Sequence, residues 1–231
     1  MLAVDVMTPN VITVGPEADV REIARLLLDN RISAVPVVDD DDKVLGIVSE
    51  GDLMRHLENG NGNRKSWWLR SIFVGAGDAA DYVKSHGRLA REIMTRDPIT
   101  IAEDEPLNRI ARLLEKHHIK RVPVVRDGRL VGIVSRANLL RGFSATAPDA
   151  ETPVTADDRE IRDAILKEVD DNTGVWVDRL NVIVTDGVVQ LWGLVESQEE
   201  RMAVQVAAEN TPGVKKIENN LGLVPKGVGG Y

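Results

Sequence analysis

The stretch Val35-Pro-Val-Val38, followed by Gly46-Ile-Val-Ser49, decides the fold, because it returns later in the chain almost unchanged. The second copy reads Val122-Pro-Val-Val125 and Gly132-Ile-Val-Ser135. The offset between the copies is 87 residues at the first motif and 86 at the second. One extra residue in the acidic run Asp39–Asp42 accounts for this change, and a hairpin loop tolerates such an insertion. The chain therefore contains an internal repeat.

Both copies pass through the same order of hydrophobic patterns. A short β-rich run, Val11–Val14 or Ile99–Ile101, precedes a helical stripe, and two apolar strands follow. A short helix that begins at Ser49 or Ser135 closes each copy. A β-α-β-β-α unit of about 50 residues is too small to bury a satisfactory core alone, so we expect the copies to pack on each other. The helical stripe comprises Val20, Ile23, Ala24, Leu27 and Leu28 in the first copy and Leu107, Ile110, Ala111 and Leu114 in the second. The two strands are Val35–Val38 and Val44–Val48 in the first copy and Val122–Val125 and Leu130–Val134 in the second, where Asp127-Gly128 joins them.

This order, with Met7-Thr8 and Met94-Thr95 before the strands and Gly-Ile-Val-Ser-x-x-Asp/Asn at the end, resembles a tandem pair of CBS (cystathionine β-synthase) domains. The resemblance implies an α/β (α+β) fold in which the repeats form a pseudo-symmetric module that dimerises. It also implies clefts that bind a regulatory adenosyl ligand, namely AMP, ADP, ATP or S-adenosylmethionine, with no required cofactor. The repeats are assigned to residues 1–57 and 91–144, with an inserted linker at 58–90.

The segment Ser49-Glu-Gly-Asp52 admits two interpretations that can coexist. Its spacing is that of a capping box, in which Asp52 reaches back to a free backbone N–H. The same helix N-terminus suits a phosphate, and a carboxylate can accept hydrogen bonds from ribose hydroxyls. The resemblance implies that Asp52 holds the ribose, that Ser49 and Thr13 contact the ribose or phosphate, and that Ile12, Ala34 and Val35 line the adenine.

The second copy carries Asn138 where the family pattern has an acid. An amide still donates and accepts hydrogen bonds but loses charge assistance, so this cleft is expected to be weaker, altered or empty. The nearby cationic residues Lys120 and Arg121 could contact a phosphate. The alternative is that the basic residues form a solvated helix end, where Lys116 and His117 complement the helix dipole without a ligand. The second candidate set comprises Thr100, Lys120, Arg121, Val122, Ser135 and Asn138.

The insert concentrates aromatic residues in Trp67-Trp-Leu-Arg-Ser-Ile-Phe73. One interpretation is a linker helix that covers the CBS core or the dimer seam. The alternative is an interfacial anchor, since Arg64, Lys65 and Arg70 flank the apolar side chains and suit anionic lipid headgroups. Both remain open.

A second pattern begins after a linker at residues 145–156. A helical stripe, two strands joined at Asp186-Gly187, a helix opened by Ser197-Gln-Glu-Glu200 and a strand after Pro212-Gly213 give the order α-β-β-α-β. The residues Asp-Gly-Val-Val-Gln-Leu-Trp-Gly and Pro-Gly-Val resemble a BON domain over residues 157–225, with a tail at 226–231. The resemblance implies a protein or phospholipid partner. The strands are predicted at Leu180–Thr185, Val188–Val195 and Val214–Val224.

Composition narrows the function. A net charge of −8 argues against general nucleic-acid binding. The chain has no cysteine and only four histidines, which leaves few ligands for a metal centre, and the sequence contains no recognisable catalytic motif. No apolar run or signal pattern indicates export, so the chain is expected to be cytoplasmic. The resemblance to a BON domain, a bacterial module, implies a bacterial protein. The sequence thus predicts a non-catalytic adenosyl sensor that acts as a homodimer and relays occupancy to the BON domain. The alternative is a ligand-free scaffold or membrane-peripheral protein acting through the BON domain and Trp67-Trp68.

Overall fold

The computed structural model describes residues 1–59, 87–145 and 154–224, which form two compact units. Unit 1 contains Met1–Val11, Ile101–Val125 and Val131–Tyr231, and unit 2 contains Ile12–Thr100 and Arg126–Leu130. The units do not follow the order of the repeats, because residues 1–11 group with most of the second copy. Within the described ranges, no helix has both the length and the apolar character that a bilayer span requires.

The helices and strands alternate along the chain and confirm the predicted mixed α/β class. The strands of the described residues form three small sheets with the orders β1-β2-β3, β4-β5-β6 and β7-β8-β9. The helices are α1 (Ala3–Val6), α2 (Val20–Asp29), α3 (Glu50–Asn59), α4 (Ala90–Ile93), α5 (Leu107–Lys116), α6 (Arg136–Ala145), α7 (Ala156–Asn172) and α8 (Gln198–Glu209). The strands are β1 (Ala34–Val38), β2 (Val44–Ser49), β3 (Thr95–Arg96), β4 (Ile101–Ala102), β5 (Arg121–Arg126), β6 (Arg129–Ser135), β7 (Leu180–Thr185), β8 (Val188–Val195) and β9 (Lys216–Leu223).

The core of unit 2 lies between α2 and the β1–β2 hairpin. Every residue of β1 is buried, and α2 contributes Val20, Ile23 and Leu27 from one face. The prediction that Leu28 belongs to this buried stripe is wrong, since Leu28 is 76% exposed. At 100° per residue Leu28 lies at the edge of the apolar face, and Leu26 packs against the core from the other side.

Each of the first two sheets has a glycine that faces a methionine. A Cβ added to Gly46 in unit 2 would collide with the sulfur of Met94, and a Cβ added to Gly132 in unit 1 would collide with the sulfur of Met7. Both methionines are buried. The glycines therefore leave the space that the two methionine side chains fill.

The C-terminal part of unit 1 folds as predicted, with α7 and α8 contributing to one core with the sheet β7-β8-β9. The strands β7 and β8 have the predicted bounds and are antiparallel, whereas β8 and β9 are parallel. The third strand, predicted at Val214–Val224, is shorter. Asp186 and Gly187 both adopt positive φ, 49° and 71°, as a two-residue type I′ hairpin turn requires.

Asp158 ties the start of α7 to this hairpin turn. One carboxylate oxygen accepts from Thr155 N at 3.0 Å and Thr155 Oγ1 at 3.0 Å, and the other accepts from Gly187 N at 2.8 Å. Burial by itself raises the pKa of Asp158, but these hydrogen bonds lower it, and the net pKa lies below the ordinary value. The ionised form of Asp158 therefore stabilises the fold.

We expect Asp158→Asn to destabilise the BON region by about 1–3 kcal/mol at pH 7. In one orientation the amide NH2 group faces the Gly187 N–H donor, and in the other it faces the Thr155 donors, so one set of hydrogen bonds is lost. Because the folded pKa is lowered, the contribution of Asp158 is present above about pH 4 and is lost as the pH falls through the folded pKa. Urea unfolding at pH 7 and pH 3 measures both effects, and the difference from wild type should shrink at pH 3. Asp157→Asn, an exposed acid in the same turn, is the matched control. Equal stability of the Asp158 variant and wild type at pH 7 would contradict this role.

Candidate functional site

The N-terminal part of unit 2 runs beside β1. Val14 N donates to Pro36 O at 3.1 Å, and Val38 N donates to Val14 O at 3.0 Å, so Val14 pairs with Val37 in the parallel sense. Ile12 and Thr13 precede this bridge and extend toward the start of β1. Both are half-buried.

The other predicted first-copy residues lie at the same end of the sheet. Ala34 pairs with Ser49 across the β1–β2 hairpin, and Val35 pairs with Val48. Glu50 N donates to Ser33 O at 3.0 Å, which holds the start of α3 against the start of β1. Ser49 is half-buried, whereas Ala34 and Val35 are buried. The structure thus brings together all six residues predicted for the first site: Ile12, Thr13, Ala34, Val35, Ser49 and Asp52.

Asp52 serves as a helix cap, as one of the two interpretations predicts. Its Oδ2 accepts from Ser49 N at 2.9 Å and from Ser49 Oγ at 2.7 Å, and its Oδ1 pairs with the Arg55 guanidinium. The Asp52 side chain is 4% exposed. A carboxylate has about four acceptor positions, of which these contacts with described residues use three. The fourth position has no partner among the described residues.

Asn138 occupies the same place at the start of α6, but all of its hydrogen-bonding positions are used. Its Oδ1 accepts from Ser135 N at 2.8 Å and Ser135 Oγ at 2.6 Å. Its Nδ2 donates to Val6 O at 2.9 Å and to Thr8 Oγ1 at 3.4 Å. Two acceptor and two donor positions are the full capacity of an amide side chain, and Asn138 is 2% exposed. A ligand could contact this side chain only by displacing one of these partners.

The basic residues of the second copy lie near this helix start. Arg136 N donates to Lys120 O at 3.1 Å, so the residue before β5 lies against the first residue of α6. Lys120 is exposed, Arg121 is half-buried and Val122 is buried. Unit 1 thus contains Lys120, Arg121, Val122, Ser135 and Asn138, whereas exposed Thr100 groups with unit 2.

Three residues that take part in these sites were missing from the prediction. Arg55 follows Asp52 by three positions on α3, and this helical spacing is a signal that the sequence contains. Val6 and Thr8 bind Asn138 from more than 120 positions away, and no local pattern indicates such a contact. Trp67 and Trp68, and with them the anchor hypothesis, lie outside the described residues.

Comparisons with known proteins agree with this organisation. The CBS domain model matches residues 3–59 and 90–145, and the BON domain model matches residues 157–225. The CBS domain-containing protein CBSX1 of Arabidopsis thaliana chloroplasts is 34% identical over 137 residues, which are 55% of this chain and 57% of that protein. The uncharacterized protein MJ1426 of Methanocaldococcus jannaschii is 31% identical over 154 residues, which are 62% of this chain and 91% of that protein.

A further relative, the chloroplast protein CBSX2 of Arabidopsis thaliana, is 30% identical over 146 residues, 59% of this chain and 61% of that protein. The crystal structure of CBSX2 in complex with AMP has a TM-score of 0.49 and 29% identity, and covers 62% of this chain and 96% of that one. This chain therefore spans about three fifths of the length of CBSX1 and CBSX2. The predicted domain composition is confirmed: the chain belongs to the CBS domain family and carries a CBS domain pair followed by a BON domain.

Proposed function

We propose that this protein is a non-catalytic regulator that binds an adenosyl ligand in its CBS domain pair and relays occupancy to the BON domain. The observation that carries the proposal is the gathering of six first-copy residues at one sheet end, beside the N-terminus of α3. There, the positive N-terminal end of α3 suits a phosphate. The Asp52 carboxylate, whose fourth acceptor position has no partner among the described residues, suits a ribose hydroxyl. The sequence relationship with CBSX2, a protein solved with AMP, supports this ligand class.

A panel of adenosyl compounds tests the proposal. Saturating AMP, ADP, ATP and S-adenosylmethionine are each added to the full chain, and thermal unfolding is recorded. A ligand at 100 times its Kd adds about 2.7 kcal/mol to the free energy of unfolding, which raises Tm measurably. If none of the four compounds changes Tm or gives heat in calorimetry, the alternative of a ligand-free scaffold takes precedence. One observation already favours that alternative for the second copy, namely the full use of Asn138 by protein partners.

Asp52→Asn locates the ligand. The second copy shows that an amide at this place accepts from the preceding serine with the same geometry, so the helix cap is expected to survive. The variant loses the charged acceptor, and we expect AMP affinity measured by calorimetry to fall at least about tenfold. Asp40→Asn, in the exposed acidic turn, should bind as wild type does. Wild-type affinity in the Asp52 variant would exclude the carboxylate as a ligand contact.

We further propose that the chain forms a homodimer through exposed apolar residues on the closing helices of both repeats. In unit 2, Met54 on the closing helix α3 is 52% exposed, and Leu28 on the adjacent helix α2 is 76% exposed. In unit 1, Leu140 is 70% and Phe143 is 80% exposed. Met54 and Leu140 are equivalent in the repeat, at the offset of 86 residues. Apolar side chains exposed at equivalent places suit a symmetric contact between two copies.

Leu140→Glu tests the dimer, because a charge buried without a partner would weaken association. Light scattering coupled to size exclusion should give about twice the chain mass of 25.4 kDa for wild type and a mass near 25.4 kDa for the variant. Met202→Glu is the control, since Met202 is similarly exposed, at 65%, on α8 of the BON domain. A monomeric wild type, or a dimeric Leu140 variant, would contradict this interface.

A further inference from the structure

The BON domain holds the N-terminal segment Leu2–Thr8 through side-chain donors. Asn181 Nδ2 on β7 donates to Val6 O at 2.9 Å and to Met7 O at 3.3 Å, and the Arg162 guanidinium on α7 donates to Val4 O. Asn181 and Arg162 are 1% and 7% exposed. These donors satisfy carbonyl groups at the C-terminal end of α1, which have no partners inside so short a helix.

An ion pair between half-buried Arg159 and buried Asp5 reinforces this contact. Arg159 Nε on α7 donates to Asp5 Oδ1 at 2.7 Å, and the Asp5 side chain is 1% exposed. The other oxygen of Asp5 accepts from Leu2 N at 2.7 Å. Removing Arg159 would leave the buried Asp5 carboxylate without its counter-charge, so this pair ties the segment Leu2–Thr8 to the BON domain.

The outer face of the BON sheet is covered as a result. Ile183 alternates with the core residues Val182 and Val184 and points to the opposite face, yet it is only 1% exposed. The strand β7 packs against α1 and α6. Arg141 of α6 donates to Asn181 Oδ1 at 3.5 Å and lies 5.8 Å from the ring centroid of Trp192.

One carbonyl group joins this contact to the candidate site of the second copy. Val6 O accepts from Asn181 of the BON domain and from Asn138 at the start of α6, both at 2.9 Å. A carbonyl oxygen has two lone pairs, so the two amides occupy it fully. Asn138 can contact a ribose or phosphate only if it gives up Val6 O, Thr8 Oγ1 or Ser135.

We propose that the segment Leu2–Thr8 couples the BON domain to the second-copy site, so that docking of the BON domain opposes ligand binding there. This inference rests on the proposed function and adds how the site is regulated. A ligand bound at Asn138 breaks the hydrogen bond from Asn138 to Val6 O and weakens the BON contact. By thermodynamic reciprocity, docking of the BON domain lowers the affinity for the ligand. The residues of the first-copy site belong to unit 2 and are not among these contacts.

Calorimetry with AMP tests the coupling in the Asp52→Asn background, where the first site is impaired. Asn181→Ala removes the BON donor to Val6 O, and we expect it to raise AMP affinity at least about fivefold. Asn219→Ala is the matched control, because Asn219 is a BON amide that bonds Gln205 within its own domain at 3.0 Å. If wild type binds AMP and the Asn181 variant gains no affinity over its background, the coupling is refuted.

A second measurement tests the coupling in the absence of ligand. Asn138→Ala mimics release of Val6 O, and hydrogen exchange is followed in peptides that cover residues 2–8 and 180–185. We expect at least threefold faster exchange in both peptides. Asn30→Ala is the control, since Asn30 also donates its amide to a helix carbonyl, Leu26 O at 2.9 Å, but in unit 2. Unchanged exchange at residues 180–185 overturns the inference, whereas absence of AMP binding in every variant overturns the proposed function.

Discussion

A helix of four residues cannot satisfy its own carbonyl groups, and unit 1 is organised around this constraint. The helix α1 ends at Val6, and three side chains from other parts of the unit supply the missing donors: Asn138, Arg162 and Asn181. All three are buried, so water cannot replace them. The packing of the BON domain, the orientation of α6 and the placement of the first residues therefore depend on the same few backbone oxygens.

The two repeats use one helix cap for different purposes. Ser49 with Asp52 and Ser135 with Asn138 have the same hydrogen-bond pattern, with distances that agree within 0.1 Å. A carboxylate only accepts hydrogen bonds, whereas an amide also donates two. The exchange of one oxygen for a nitrogen thus lets the second copy bind the backbone of the N-terminal segment, whereas the carboxylate of the first copy has no donor for such a contact. The asymmetry of the pair lies in this substitution.

Local chemistry explains what could be predicted from the sequence. Asp-Gly pairs indicate tight hairpins, and both Asp127-Gly128 and Asp186-Gly187 adopt positive φ at both residues. Ser49 and Ser135 stand before helices, and the first site assembles because strand register is set by the repeated motifs. The partners of Asn138 could not be predicted, since Val6 lies 132 positions away. The exposure of Leu28 likewise depends on which elements pack against α2, and the spacing of apolar residues along the helix does not predict them.

The methionine–glycine contacts have a consequence for the origin of the chain. Met7 stands at the start of the first copy and fills the space beside Gly132 of the second, while Met94 of the second copy fills the space beside Gly46 of the first. Each copy thus supplies a methionine to the other copy's glycine. An ancestor with a single copy would need a second polypeptide to form this contact. Gene duplication would then have converted a contact between two chains into one within a single chain, after which the copies were free to diverge, as Asp52 and Asn138 have.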